Sequence, residues 1–262
     1  MKEYFELHRA GCNIRGKLYC TDREDIRTVI LFGHGFGGHK DNQAAEKFAK
    51  RVQSQNEHTA LITFNWPCHG DDTCSKLRLE ACDDYLRLMI AYIQKRLGTE
   101  EAAPGNDSPP ELYAYANSFG AYLFLKYISE HGNPFKKIAL RSPAVKMFDV
   151  LTKTIMKEED LERIRSGQTA QVGFDRKIEV DQIFLDSVDK TDITERDFLP
   201  YAEDILILHG TRDEVASFDA AKAFAEKNGI RFIPIENGDH RFLDPEKMRV
   251  ASEEMIAFFG LK

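Results

Sequence analysis

The serine at position 118 stands between small residues in the stretch Ala114–Tyr122, AYANSFGAY, directly after an apolar run that is typical of a strand. A nucleophile at a sharp strand-to-helix turn has a strained backbone, so the residues two positions away must be small. Ala116 and Gly120 meet this requirement, although glycine is usual where Ala116 stands. Ser118 is therefore a candidate nucleophile, and the backbone N–H of Phe119 is a candidate donor to an oxyanion. A helix-capping serine in a chance small-x-Ser-x-Gly pattern is the alternative.

A glycine-rich stretch, Phe32–His39 with the sequence FGHGFGGH, follows an earlier apolar strand. Its glycines permit a backbone bend that directs an N–H, that of Phe36, toward the same site. Together with Phe119 it would form an oxyanion hole. A plain connecting turn or a phosphate cradle is the alternative, but the stretch lacks the GxxxxGK[ST] spacing of a P-loop.

Two further candidates follow later strands. Asp213 lies in HGTRDEV after a strand at 205–208, and His240 lies in ENGDHRF after a strand at 231–235. The chain order is therefore serine, acid, histidine, and each residue follows a strand. This is the order of the triad in α/β-hydrolases. Asp239 is the rival acid, but neighbouring side chains on an extended loop point apart, so we expect Asp239 to hold the loop.

Strands and helices must alternate to bring these residues together. Apolar runs and helical periodicities do alternate, which predicts an α/β fold with a mostly parallel sheet covered by helices on both faces. The predicted order begins with a hairpin at 2–8 and 13–20 around Ala10-Gly11, and continues with strands at 28–32, 60–64, 112–116, 137–140, 205–208 and 231–235 and helices at 41–54, 78–97, 121–129, 218–227 and 246–259. A stretch rich in Pro, Gly and Asp at 103–110 ends the second helix.

One region breaks this alternation. Residues 144–200 are rich in charge, carry a helical pattern at 157–165 and show no convincing buried strand. We interpret them as a cap inserted between two strands of a single domain, 1–262. A solvated loop is the alternative.

The motifs HGFGG, ANSFGA, HGTRDEV and GDHRF make the chain similar to α/β-hydrolases over nearly its whole length. The charged cap and HGFGGHKD resemble small serine esterases of the cinnamoyl or feruloyl type and monoacylglycerol-lipase-like enzymes. This resemblance implies a carboxylester hydrolase for small or aromatic acyl groups, with Ser118, His240 and Asp213 as the triad and no metal or organic cofactor. A serine peptidase or amidase and a non-catalytic binding protein are the alternatives.

Composition restricts the partners. A net charge of −7 argues against nucleic acid, and neither a membrane-spanning run nor a secretory signal is present in the sequence. The five cysteines are odd in number and form no CxxC pair, which is typical of reduced, cytoplasmic thiols. The Cys68–Cys74 spacing fits no structural zinc pattern. A small-molecule ester is the expected partner, and a homo-oligomer stays open.

Overall fold

A computed structural model describes residues 1–9, 12–23, 25–96 and 110–261. The predicted turn at Ala10-Gly11 and nearly all of the stretch at 103–110 lie outside these residues. The predicted α/β fold is confirmed by an eight-stranded sheet in the order β1-β2-β4-β3-β5-β6-β9-β10. Its strands are β1 (Lys2–Arg9), β2 (Cys12–Tyr19), β3 (Thr28–Gly33), β4 (Thr59–Phe64), β5 (Glu111–Asn117), β6 (Ile138–Arg141), β9 (Ile205–Gly210) and β10 (Arg231–Ile235).

The sheet is parallel from β4 to β10, and only β2 runs in the opposite direction, pairing antiparallel with both β1 and β4. Central strands of such a sheet are covered on both faces, which explains their lack of polar alternation. On β3, Val29 and Leu31 enter one core while Ile30 and Phe32 enter the other. Parallel strands also end at one edge, so the loops after β3, β5, β9 and β10 meet there.

Helices cover both faces of this sheet. The smaller core lies under α1 (Gln43–Gln53) and α8 (Pro245–Phe259), through Phe48 and Met255 among others. The larger core lies under α2 (Leu79–Arg96), α3 (Phe119–His131) and α7 (Phe218–Asn228). Asn42, Ser217 and Asp244 cap α1, α7 and α8 through side-chain acceptors. No helix in the described ranges is long and apolar enough to cross a membrane.

The segment between β6 and β9 holds the helix predicted near 157–165 and further elements that the sequence pattern missed. It contains α4 (Met147–Asp149), which continues as a π-helical turn over Val150–Ile155, then α5 (Glu158–Arg165), β7 (Ala170–Val172), β8 (Ile178–Val180) and α6 (Gln182–Asp189). The expectation of no buried strand here was wrong. β7 and β8 pair antiparallel, and the first and third residues of each strand are buried. Strands of three residues are too short to show a hydrophobic period.

Two contacts fix this segment to the rest of the fold. Asp181 caps α6 and accepts a bidentate pair of hydrogen bonds from Arg78, at 2.9 and 2.6 Å. Phe184 of α6 is fully buried and packs edge-on against Phe119, with ring centroids 6.4 Å apart. The segment is therefore held against the start of α3.

Candidate active site

Ser118 occupies the turn between β5 and α3, with φ 51° and ψ −119°. This positive φ is unfavourable for a residue with a Cβ, so the surrounding packing must hold it. The Ser118 N–H donates to the carbonyl of Arg141 at 3.1 Å. A Cβ on Gly120 would lie 2.4 Å from the carbonyl oxygen of Gly33, so only glycine allows α3 to approach β3 this closely.

The three residues that the sequence predicts as a triad lie within hydrogen-bonding distance of one another. The Ser118 hydroxyl oxygen is 3.0 Å from His240 Nε2. On the other side of the ring, His240 Nδ1 lies 2.8 Å from Asp213 Oδ2 and 3.0 Å from Oδ1. The Asp213 side chain is fully buried. With Nδ1–H donating to the carboxylate, Nε2 is left as the acceptor for the serine hydroxyl.

The Asp213 carboxylate is held in its charged form. Burial alone would raise the pKa of Asp213, but hydrogen bonds from His209 and His240 lower this pKa well below its usual range. The backbone N–H groups of Val215 and Ala216 also donate to Asp213, at 2.9 and 2.8 Å. A buried anion with this many donors can keep one orientation beside His240.

Asp239, the rival acid, makes local contacts instead. Its carboxylate accepts from the backbone N–H of Arg241 at 2.8 Å and of Leu243 at 3.1 Å. These bonds close the turn that carries His240. No hydrogen bond joins Asp239 to the His240 ring among the described residues.

The glycine-rich loop lies directly against the nucleophile. A Cβ on Gly35 would be 3.2 Å from Ser118 Cβ, and the rings of Phe36 and Phe119 meet edge-on at 5.6 Å. Within the described ranges, the Phe36 N–H has no acceptor, and no side chain caps the amino end of α3 where Phe119 begins. Both N–H groups predicted for an oxyanion hole are therefore present beside Ser118 with capacity to donate.

Buried aromatic residues support that loop from below. His34 Nδ1 donates to the carbonyl of Gly35 at 2.9 Å, and His34 Nε2 accepts from the Trp66 backbone N–H at 3.3 Å. Burial, with His69 as the next contribution, lowers the pKa of His34 well below its usual value. Burial also lowers the pKa of His69 to about 4, and its ring stacks on Phe119. Both rings are neutral packing elements at physiological pH.

A cavity of about 540 Å³ opens beside Ser118 and His240. Apolar side chains from separate parts of the chain line it: Phe36, Ala44, Ile155, Phe174, Val215 and Leu243. Phe174 and Arg176 come from the turn between β7 and β8, where the Arg176 carbonyl would lie 3.1 Å from a Cβ on Gly37. The inserted segment thus reaches over the glycine-rich loop.

Sequence reasoning missed Arg141, the last residue of β6. Its side chain is only 4% exposed, lines the cavity and donates from Nη1 to the His240 carbonyl at 3.0 Å. The signal was a charged residue at the end of the apolar run KIALR, at the edge where the other site residues meet. Arginine is almost never buried to this extent without a partner, which singles out Arg141 among the residues at this edge.

A second cluster of acidic and histidine side chains lies away from this cavity. Asp83, Glu130 and His131 place ligand-type atoms within 4.8 Å of one another, which makes them the metal candidates of the described residues. The ammonium group of Lys126 already hydrogen-bonds Asp83 and, at 2.7 Å, Glu130. Because Lys126 supplies the positive charge there, the arrangement fits an ion-pair network. Among the residues that the structure describes, Cys68 and Cys74 belong to no group of three or more ligand-type side chains.

No family model and no curated protein sequence matches the chain. Solved structures do match over almost its full length. Est1E from Butyrivibrio proteoclasticus, solved with ferulic acid, aligns with a TM-score of 0.71 at 14% identity, covering 98% of this chain and 99% of that one. Mouse alpha/beta hydrolase domain-containing protein 10 aligns with a TM-score of 0.68 at 13% identity, covering 98% of each chain.

Dienelactone hydrolase from Anabaena variabilis aligns with a TM-score of 0.61 at 12% identity, covering 99% of this chain and 97% of that one. The strand order, the strained serine turn and these alignments all indicate the same fold. The chain has the α/β-hydrolase fold.

Proposed function

We propose that this protein is a serine hydrolase that cleaves carboxylic esters through an acyl-enzyme intermediate. One observation carries the proposal: the Ser118 hydroxyl lies 3.0 Å from His240 Nε2, while His240 Nδ1 lies 2.8 Å from a fully buried Asp213 carboxylate. A neutral hydroxyl is a weak nucleophile, and a hydrogen-bonded imidazole that an anion orients can activate it.

In the proposed reaction, Ser118 attacks the ester carbonyl while His240 Nε2 takes the hydroxyl proton. The tetrahedral oxyanion accepts hydrogen bonds from the N–H groups of Phe36 and Phe119. His240 then gives its proton to the leaving alcohol, and the acyl group stays on Ser118. A water molecule, deprotonated by His240, hydrolyses this acyl-enzyme and restores the hydroxyl. Asp213 keeps the imidazole oriented and stabilises its charged form throughout.

The cavity supports a small or aromatic acyl group. Its volume of about 540 Å³ and apolar lining suit one aromatic ring or a short chain, and Phe174 offers an aromatic face. The solved Est1E structure holds ferulic acid, an aromatic acid of this size class. We propose that the segment between β6 and β9 acts as a cap of a single domain, because its β7–β8 turn forms one wall of this cavity.

A monoacylglycerol-lipase-like enzyme is the nearest alternative, and an amidase or peptidase would use the same machinery. A binding protein without activity is disfavoured by a complete, mutually hydrogen-bonded triad. The five cysteines are odd in number and form no CxxC pair, which supports a reducing, cytoplasmic location. The net charge of −7 disfavours nucleic acid as a partner.

A fluorophosphonate probe tests the nucleophile. We expect stoichiometric labelling of the wild type, and Ser118→Ala should abolish both labelling and ester hydrolysis. Persistent labelling of this variant would remove Ser118 from the proposal. An ester and an amide of the same acyl group, assayed side by side, separate an esterase from an amidase, because the amide has the poorer leaving group.

A further inference from the structure

The charged groups around the cavity are unevenly compensated. Of its two carboxylates, Asp41 binds Lys17 at 3.0 Å and Lys40 at 3.3 Å, and Asp175 binds Arg241 at 3.1 Å. Two further arginines line the same cavity, Arg141 and Arg176. No carboxylate of the described chain lies within 4.0 Å of either guanidinium group. Arg141 and Arg176 therefore bring positive charge to the cavity beside the candidate nucleophile without a carboxylate in direct contact.

Arg141 is the more informative of the two because it is buried. It is 4% exposed, its Nη1 donates to the His240 carbonyl, and its guanidinium lies over the Phe242 ring at 5.2 Å. Its buried Nε has no hydrogen-bond partner. Removing a cation from water without a carboxylate in direct contact is unfavourable. One neutral carbonyl compensates little of that cost, whereas an anionic ligand would compensate most of it.

The amino end of α1 borders the same space. Asn42 caps this 11-residue helix by accepting from the Ala45 N–H, while Gln43 and Ala44 line the cavity ahead of that bond. The first N–H groups of a helix have no partner within it and favour negative charge. A buried arginine and a helix amino end thus form two walls of one recess.

We propose that this recess binds a carboxylate on the substrate, so that the enzyme prefers esters that carry a second, free carboxylate group. Arg141 presents fixed donors that match carboxylate geometry, and the α1 amino end adds favourable electrostatic potential. Arg176, at the exposed rim, raises the local concentration of anions. This inference rests on the proposed ester hydrolysis.

Matched ester pairs test the inference. One pair places the charge on the acyl side, p-nitrophenyl hemiglutarate against p-nitrophenyl valerate, and another places it on the alcohol side, 4-acetoxybenzoate against phenyl acetate. We expect the wild type to favour the anionic member of at least one pair by about tenfold or more in kcat/KM, in line with a charge-assisted hydrogen bond. Arg141→Met should remove this preference, mainly through a higher KM for the anionic ester.

Arg241→Met is the matched control, since Arg241 lines the same cavity but is exposed and already paired with Asp175. Its anionic-to-neutral ratio should stay within about threefold of the wild type, because exposed pairs contribute little. Arg141→Lys keeps the charge and should retain part of the preference for the anionic ester. It replaces Arg141→Met as the test variant if Arg141→Met does not fold. A wild type without preference in both pairs would overturn the inference, as would an Arg141→Met variant that slows both members equally.

Calorimetry on Ser118→Ala protein tests the recess without turnover. Monoethyl glutarate should bind at least tenfold more tightly than diethyl glutarate, and Arg141→Met should abolish the difference. Equal binding of the two esters would overturn the carboxylate site even in an active esterase. A wild-type protein that a fluorophosphonate fails to label, with the binding difference intact in Ser118→Ala, would instead overturn the proposed hydrolysis.

Discussion

His209 Nε2 lies 3.0 Å from Asp213 Oδ2, the same carboxylate oxygen that lies 2.8 Å from His240 Nδ1. The side chains of His209 and Asp213 are both fully buried. His209 Nε2 also lies 3.0 Å from the carbonyl of Ala216, and because both neighbours are acceptors, Nε2 carries a proton and donates to them. His209 thus helps to orient the Asp213 carboxylate, which contacts the proposed catalytic base His240.

Replacing His209 should weaken catalysis less than replacing the acid. His209→Phe keeps an aromatic ring in a pocket formed by Phe218 and Phe232 and removes one donor to Asp213. A hydrogen bond to a charged group corresponds to roughly tenfold or more in rate, so we expect kcat to fall by about that factor with little change in KM. Steady-state kinetics with a soluble ester measures this. An unchanged kcat in a folded variant would contradict an orienting role.

Replacing Asp213 should lower kcat far more than replacing Asp239. Asp213→Asn can place an amide N–H where His240 Nδ1–H needs an acceptor, which favours the wrong tautomer, and kcat should fall by about 10⁴, the factor seen in a chymotrypsin-type triad. Asp239→Asn removes only turn contacts to backbone N–H groups and should lower kcat by less than about tenfold. The two variants are compared at one pH with one ester. The opposite ranking would transfer the role to Asp239.

The turn at Ser118 should tolerate glycine at position 116, whereas a side chain at position 120 should destabilise it. Gly120→Ala forces a Cβ to 2.4 Å from the Gly33 carbonyl, so we expect a loss of about 1–3 kcal/mol in unfolding free energy together with impaired labelling of Ser118. Ala116→Gly is the matched control, because it removes a methyl group and introduces the residue that is usual at this position in such turns. It should cost about 1 kcal/mol and keep labelling. Urea unfolding curves for both variants provide the measurement.

The cysteines should be poor nucleophiles near neutral pH. Burial raises the pKa of Cys68 to about 12 and raises that of Cys74 as well. A raised thiol pKa means less thiolate at a given pH, so iodoacetamide at pH 7.5 should leave ester hydrolysis intact. Alkylation of Cys68 should then accelerate about tenfold per pH unit. Mass spectrometry follows the modification, with unfolded protein as the fast-reacting control. Rapid loss of activity at pH 7.5 would contradict this expectation.

A lipid surface should not increase the rate of ester hydrolysis, because the segment between β6 and β9 is poorly suited to bind one. Most side chains of α5 are charged and of mixed sign, whereas membrane-surface helices are normally basic on the polar face. Phe174 and Leu243 are exposed at the cavity rim, but two residues offer little surface for docking. Hydrolysis of tributyrin should therefore show no rate jump above its solubility limit. A jump, or a preference for long acyl chains, would favour the lipase-like alternative.

Much of this protein follows from its sequence. The apolar runs predict six parallel strands because a strand buried on both faces needs no polar alternation, and the structure confirms the sheet they form. The candidates Ser118, Asp213 and His240 could be chosen because each follows a strand, and parallel strands end at a common edge. Local geometry also leaves a trace in the sequence, since a strained turn requires small neighbours such as Gly120.

Tertiary structure alone decided the contacts between residues far apart in the chain. Nothing in the sequence states that Arg141 faces the His240 carbonyl, 99 positions away, or that His209 shares the Asp213 carboxylate. The short strands β7 and β8 also escaped detection, because three residues carry no measurable period and their pairing depends on the turn between them. Periodicity reports how each element faces its core, but distances between loops depend on how the whole sheet twists and packs.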